Sequence, residues 1–308
     1  MRKPTSETIT FRDVGILLVG YSRPDLLKNR IYEFASENIV NLYISIDGGE
    51  ASHTLEMEKF KGLTKQVLKP IQNLQIYHEV NNLGLVRHLT SRITQVLNEH
   101  KYIIVIEDDI KVSKSFFSNM LHGLNYLNTR ELKGVVSGWS PVAFPYAQNK
   151  WRNSKYVYIW GWATSREVWE GYEYDLSREN IEKNLNNSFN WSKYSKFQKA
   201  SWGSKFNKLK IVPLFTWDIQ FIYHCLKNEY HIIAPLFTMT GNQGFEDDRA
   251  IHTKGPKPKV VQNNLLSEKK ITKKSWIFHL FVDFIDKIYF NDIKIISKTR
   301  AIFSRQKL

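Results

Sequence analysis

The chain has one cysteine, Cys225, among 308 residues. A single thiol can neither close an intrachain disulfide nor build a cysteine zinc site, and this poverty favours a reducing compartment. Long apolar runs are missing as well. Nothing approaches the roughly 18 to 20 consecutive apolar residues that cross a bilayer, and the first residues, MRKPTSETITFRD, carry no signal-peptide core. The expectation is a cytoplasmic chain that crosses no membrane. There is no internal repeat. What is abundant is aromatic: nine Trp, fifteen Tyr and eighteen Phe, side chains whose apolar body and polar tip suit sugars and lipid headgroups. The 42% hydrophobic content is that of a packed globular core.

Charge is unevenly spread. Residues 1–150 hold 18 basic and 15 acidic residues, and residues 151–308 hold 26 and 15, so most of the net charge of +14 lies in the second half. A basic half suits nucleic acid, anionic lipid or a pyrophosphate-bearing acceptor, and charge alone does not choose among them.

In the first half short apolar runs alternate with helical patterns, as in βα units on a largely parallel sheet. GILLVG (15–20) reads as a first buried strand, followed by a helix start at Ser22, Pro24 and Asp25. LYISI (42–46) and LQIYHEV (74–80) read as further strands, and Leu85, Leu89, Ile93, Val96 and Leu97 as the apolar face of a helix. KYIIVIEDD (101–109) is the most apolar strand and stops in three carboxylates. Ligands of such sheets collect beyond the carboxyl ends of the strands, so Asp47, Asn81 and Glu107-Asp108-Asp109 are expected at one crevice. In the second half, 134–139, 156–165 and 230–240 read as strands and 217–228 as a short helix. Residues 185–209, without clear period, read as a surface loop or lid.

Adjacent carboxylates at a buried strand end repel one another unless a cation compensates. A divalent metal does so naturally: Mg²⁺ or Mn²⁺ takes oxygens from one or two carboxylates and completes its shell with substrate phosphates. The plain alternative is a solvated acidic strand end before a helix N-terminus at Ser113. The block IVIEDDIKVSKSFFSNM (104–120) resembles the acidic metal-binding motif of GT-A glycosyltransferases, particularly the N-acetylglucosaminyltransferase I group and its bacterial relatives. VSGWSP (136–141), YIWGWATSREVWEGY (158–172), TWDIQF (216–221) and TMTGNQGFEDDRAIHT (238–253) resemble successive blocks of that group, so the likeness runs from about Ile16 to Thr253.

That resemblance implies a GT-A, Rossmann-like α/β fold with a mixed, mainly parallel sheet, and an inverting, metal-dependent transfer of sugar from a UDP-sugar to an acceptor hydroxyl, in bacterial surface polysaccharide or glycolipid synthesis. It implies Arg23 near the uracil, Asp47 on the uridine, His88 as a nucleotide contact, and Glu107 and Asp108 facing sugar and ribose. Asp109 would bind Mn²⁺ or Mg²⁺, with His252 as a second ligand on a loop that closes over the donor. Asp218 corresponds to the general base. The chain departs from the pattern at Ile219, where close relatives have a second acid. Without the family, Asp218 reads also as a helix N-cap, His88 as a packed or exposed histidine and His252 as a surface residue. Trp160 and Trp162 flank Gly161 and either bracket a sugar or pack as buried aromatics; the expected division is one ring packed inward and one lining the site, with strand alternation putting both on one side.

Two regions are expected: residues 1–254 as the catalytic domain and 255–308 as a basic amphipathic tail. SWIFHLFVDFIDKIYF (275–290), within ten basic residues and three Asp over 269–308, suits docking of a helix on an anionic membrane face, where a lipid-linked saccharide acceptor would lie. A helix packed on the catalytic domain explains the same pattern. The rival readings are a nucleic-acid-binding protein, disfavoured because no binding motif is present, and a nucleotidyltransferase acting on sugar phosphates. The latter needs a Gly-rich loop after the first strand, where GYSRPD has Gly20 alone.

Overall fold

The computed structural model describes residues 7–49, 64–141, 150–177, 196–211, 216–237 and 239–249, with Phe60, Gly62, Asn180, Ile181, Lys183, Asn184 and Leu214. His252, the tail 255–308 and the boundary between the two expected regions lie outside the described residues.

Strand β1 (Val14–Gly20) is buried along its whole length, as a central parallel strand must be. Its side chains alternate: Leu17 and Val19 enter the core on one face of the sheet, Ile16 and Leu18 the core on the other. Helix α1 (Pro24–Phe34) opens on a proline whose fixed φ suits a first turn, and it buries Leu27, Ile31 and Phe34 at helical spacing. Strands β2 (Asn41–Ile46) and β3 (Asn73–His78) pair in parallel beside β1. Helix α2 (Leu85–Glu99) starts after Gly84, whose φ of 76° reaches the left-handed region, and carries the chain back to β4 (Tyr102–Glu107) on the other side of β1.

The remaining elements are β5 (Ile110–Val112), α3 (Phe116–Asn128), β6 (Gly134–Ser137), β7 (Trp151–Asn153), β8 (Trp162–Ser165), the one-turn α4 (Arg166–Trp169), α5 (Lys196–Ile211), α6 (Asp218–Lys227), β9 (His231–Pro235) and β10 (Thr240–Asn242). The sheet has eight strands in the order β3-β2-β1-β4-β8-β6-β9-β7. Pairing is parallel from β3 to β4 and between β6 and β9, and antiparallel at β8 and β7. Helices α1 and α3 cover one face, and α2, α5 and α6 the other, so the fold is a mixed, mainly parallel Rossmann-like α/β sandwich. Because the chain leaves β1 toward β2 and returns at β4, the strand order reverses between β1 and β4, where ligands of such sheets bind.

Three expectations change. The run 156–165 is not one strand: only Trp162–Ser165 pairs, because Gly161 at φ 70° turns the chain just before it. The run 230–240 divides between β9 in the large sheet and β10, which pairs with β5 in a two-stranded ribbon. The stretch read as a loop contains α5, which buries Trp202, Phe206 and Leu209. These three stand at i, i+4 and i+7, a correct helical stripe, but Lys, Ser and Asn around them leave almost no amphipathic signal.

Candidate active site

A cleft of about 420 Å³ opens beyond the carboxyl ends of β1, β2 and β4. It brings together Arg23, Asp47, His88, Glu107, Asp108, Asp109, Trp160 and Asp218, eight of the ten side chains singled out in the sequence.

Asp47 follows β2 directly and is 3% exposed. Its Oδ1 accepts the backbone N–H of Gly48 at 2.9 Å and of Leu83 at 2.8 Å, tying the β2 end to the loop before α2. Gly48 is required there, because a Cβ would lie 2.4 Å from the Asn81 backbone. His88, one turn into α2, is buried with Nε2 2.7 Å from Ser45 Oγ. Burial pushes its pKa below the ordinary imidazole value, against the opposing charge of Asp47. The ring is thus packed against β2 and also edges the cleft.

At the end of β4 the carboxylates divide. Asp108 and Asp109 converge on Arg23, whose Nε donates to Asp108 Oδ2 at 3.2 Å and Nη1 to Asp109 Oδ2 at 3.2 Å, while Nη2 bonds Asp108 Oδ1. Burial raises the Asp108 pKa to about 6 even though Arg23 pulls it down, and Asp109 is raised for the same reason. Glu107 is lifted well above the carboxylate range by burial and then by the charges of Asp109, Asp108 and Asp218. Burial opposes the charge on Arg23, but the two aspartates outweigh it and its pKa rises. The resemblance implied a base contact for Arg23. In the structure its donors are engaged by the acidic pair.

Asp218 is the first residue of α6, and Trp217 occupies the N-cap. No side-chain cap bond forms, so the cap alternative is not realised; instead Thr216 Oγ1 donates to Asp218 Oδ1. The Tyr172 hydroxyl anchors this helix start by donating to Trp217 O at 3.0 Å.

The two tryptophans separate. Trp160 lines the cleft, its ring centroid 4.5 Å from that of Trp139 and 5.7 Å from that of Phe245. Trp162 is 1% exposed and stacks on Trp217 at 5.6 Å within the aromatic core. One ring packed inward and one at the site is the expected division, but Trp162 is then no sugar contact, and the strand alternation invoked for the two is interrupted by the left-handed Gly161.

Two arginines escaped the sequence reading. Arg249 joins the loop after β10 to the start of α1, donating to Asp25 at 2.7 and 2.9 Å while its Nη2 also donates to Asp247 at 2.8 Å. Arg30 is 1% exposed, donates to Gln243 Oε1 at 3.0 Å, and leaves Nε and Nη1 without a hydrogen bond. An acidic loop following a strand was visible in the sequence, but partners more than 200 residues apart were not.

The side chains that could hold a divalent cation are Asp109, as expected, and Asp108, which the resemblance gave to sugar and ribose. Both already converge on one positive centre through oxygen alone, the donor chemistry of a hard ion. Among the described residues no group of three or more His, Cys, Asp or Glu could hold a metal ion, and His252, the expected second ligand, lies outside them.

No family model and no curated protein sequence matches the chain. Among solved structures it is similar to a UDP-glucose pyrophosphorylase complexed with UDP-glucose, at 10% identity and a TM-score of 0.40, over 75% of this chain and 93% of that one. It is also similar to a putative glucose-1-phosphate thymidylyltransferase from Bacillus anthracis in complex with a sucrose, at 9% identity and a TM-score of 0.32, over 62% and 83%. Likenesses at this level carry over neither residues nor chemistry, so function is read from the site itself.

Proposed function

We propose that the chain is a glycosyltransferase of GT-A type that moves a sugar from a UDP-sugar to an acceptor hydroxyl with inversion. The observation that carries this reading is the meeting, in one cleft at the strand-order reversal, of the Asp108–Asp109 pair with a separate carboxylate, Asp218, on another wall. Asp47 and the loop it braces form the nucleoside end, next to His88. Asp218 takes the proton of the acceptor hydroxyl, whose oxygen bonds the anomeric carbon as the bond to the diphosphate breaks. A bound Mn²⁺ or Mg²⁺ supplies neutralisation of the departing diphosphate's charge. Trp160 offers an aromatic face beside the reacting sugar, and Arg23 and Arg249 bring positive charge to the phosphate region.

The test is calorimetric titration of UDP with and without Mn²⁺, followed by a screen of UDP-sugars for transfer. Tighter UDP binding with Mn²⁺ is expected, and Asp109→Ala should remove most of that dependence. Absence of UDP binding overturns the reading, and equal affinity in both conditions overturns its metal component. Pyrophosphate release from UTP and a sugar phosphate would instead identify a nucleotidyltransferase.

A further inference from the structure

Asp108 and Asp109 carry two negative charges against the single charge of Arg23, and the guanidinium already takes both oxygens of Asp108 and one of Asp109. A divalent ion that draws on both carboxylates therefore competes with Arg23, whose guanidinium holds three of their four oxygens. The chemistries of the two cations differ in a useful way. A guanidinium is planar and weakly hydrated, and its fork fits a phosphate as well as a carboxylate. A divalent ion is compact and matches two carboxylates in charge.

The surroundings allow the guanidinium to leave. The Arg23 side chain is 16% exposed and faces the cleft, while that of Asp108 is 3% exposed. Its backbone is the N-cap of α1 and its carbonyl accepts the Leu27 N–H at 3.1 Å, so it is the long side chain, turning about its own bonds, that leaves while this first turn stays in place. Arg30 stays buried, ion-paired to Glu33 at 3.1 Å through Nη2 with Nε and Nη1 lacking a hydrogen bond, and its charge is felt by both aspartates. Arg30, shared with Glu33, keeps some positive potential at the pair when Arg23 moves.

We infer that Arg23 and a divalent cation are alternative occupants of the Asp108–Asp109 pair, and that a nucleoside diphosphate drives the exchange by accepting the released guanidinium. The second half rests on the proposed function; the first does not. In the resting protein the carboxylates are compensated without metal, metal alone competes poorly, and metal and diphosphate bind cooperatively.

The experiment titrates Mn²⁺ into the full-length wild type and Arg23→Gln without nucleotide, by calorimetry and by loss of the free-ion paramagnetic resonance signal. The variant should bind Mn²⁺ about tenfold more tightly or better, a shift within the usual range of site-to-site coupling. Equal or weaker binding in the variant, or no binding to either protein, overturns the exchange. Arg23→Lys keeps the charge but loses the fork and should fall between the two; it also decides the matter if Arg23→Gln does not fold, because a lysine variant identical to wild type overturns the idea. With UDP added, affinity for Mn²⁺ should rise more in wild type than in Arg23→Gln. An equal rise refutes the diphosphate as driver, and UDP that binds no form refutes the nucleotide reading while the metal-only comparison still decides the exchange.

Discussion

Asp218 and Asp47 show how one residue type takes different tasks from its surroundings. Asp47 spends one oxygen on two backbone N–H groups and so organises loops. Asp218 accepts the Thr216 hydroxyl and lines the same cleft as Glu107. In Asp218→Asn, donor affinity is expected to stay near wild type while transfer falls by roughly 10² or more, the scale of a lost general base. Titration and turnover on the same preparation check this, and unchanged turnover removes Asp218 from the chemistry. The identity of these acids was legible because each follows an apolar strand or opens a helix. The partner of Arg23 was not, since its contacts with Asp108 span 85 residues and nothing local requires them.

Elements were legible where burial falls on one regular stripe. α2 has that property, β1 and β4 are instead buried almost continuously on both faces, and the sequence limits of all three agree with the structure to within about two residues. α5 lacks it because its apolar stripe is only three side chains wide in a basic, polar helix. Residues 158–162 mislead for a different reason: a left-handed glycine ends the strand's period-two geometry, so neighbouring tryptophans enter different environments. This yields a paired test. Trp162→Ala should destabilise the fold by about 3–5 kcal/mol, the range for truncating a buried aromatic. Trp160→Ala should lose less stability but bind sugar donor or acceptor more weakly. Urea unfolding and donor titration of both variants check this. Equal losses of stability would show that Trp160 is also a core residue.

Across the whole molecule, burial of imidazoles links stability to pH. His88, His100 and His224 are all held below the ordinary imidazole pKa, chiefly by desolvation. A group whose folded pKa is depressed stabilises above its unfolded value and loses that contribution as pH falls through the folded one, so these histidines disfavour folding below about pH 6.5. Asp108, raised to about 6, acts oppositely: its contribution is present at low pH and lost as pH rises from its unfolded value through about 6. The net slope mixes the two, and a difference between proteins isolates one. His224, with Nε2 2.8 Å from Val168 O, lies away from the cleft. In His224→Gln the loss of stability between pH 7 and pH 5 should be shallower than in wild type, by at most about 1.4 kcal/mol per pH unit. Urea midpoints across that range check it, and parallel curves would remove His224 as a contributor.

The sequence by itself determined the class of fold, the buried strands and which acids stand at their ends. Those features depend on short-range patterns: apolar runs, helical periods, and a carboxylate beside a strand. The tertiary structure decided what the acids face. It put Arg23 across Asp108 and Asp109, set Arg249 between Asp25 and Asp247, buried Trp162 and left Trp160 at the cleft. Side chains far apart in the chain meet only once the sheet order is fixed, and one glycine's φ moves a neighbouring ring from site to core. Neither can be read from local pattern, because both are consequences of packing rather than of propensity.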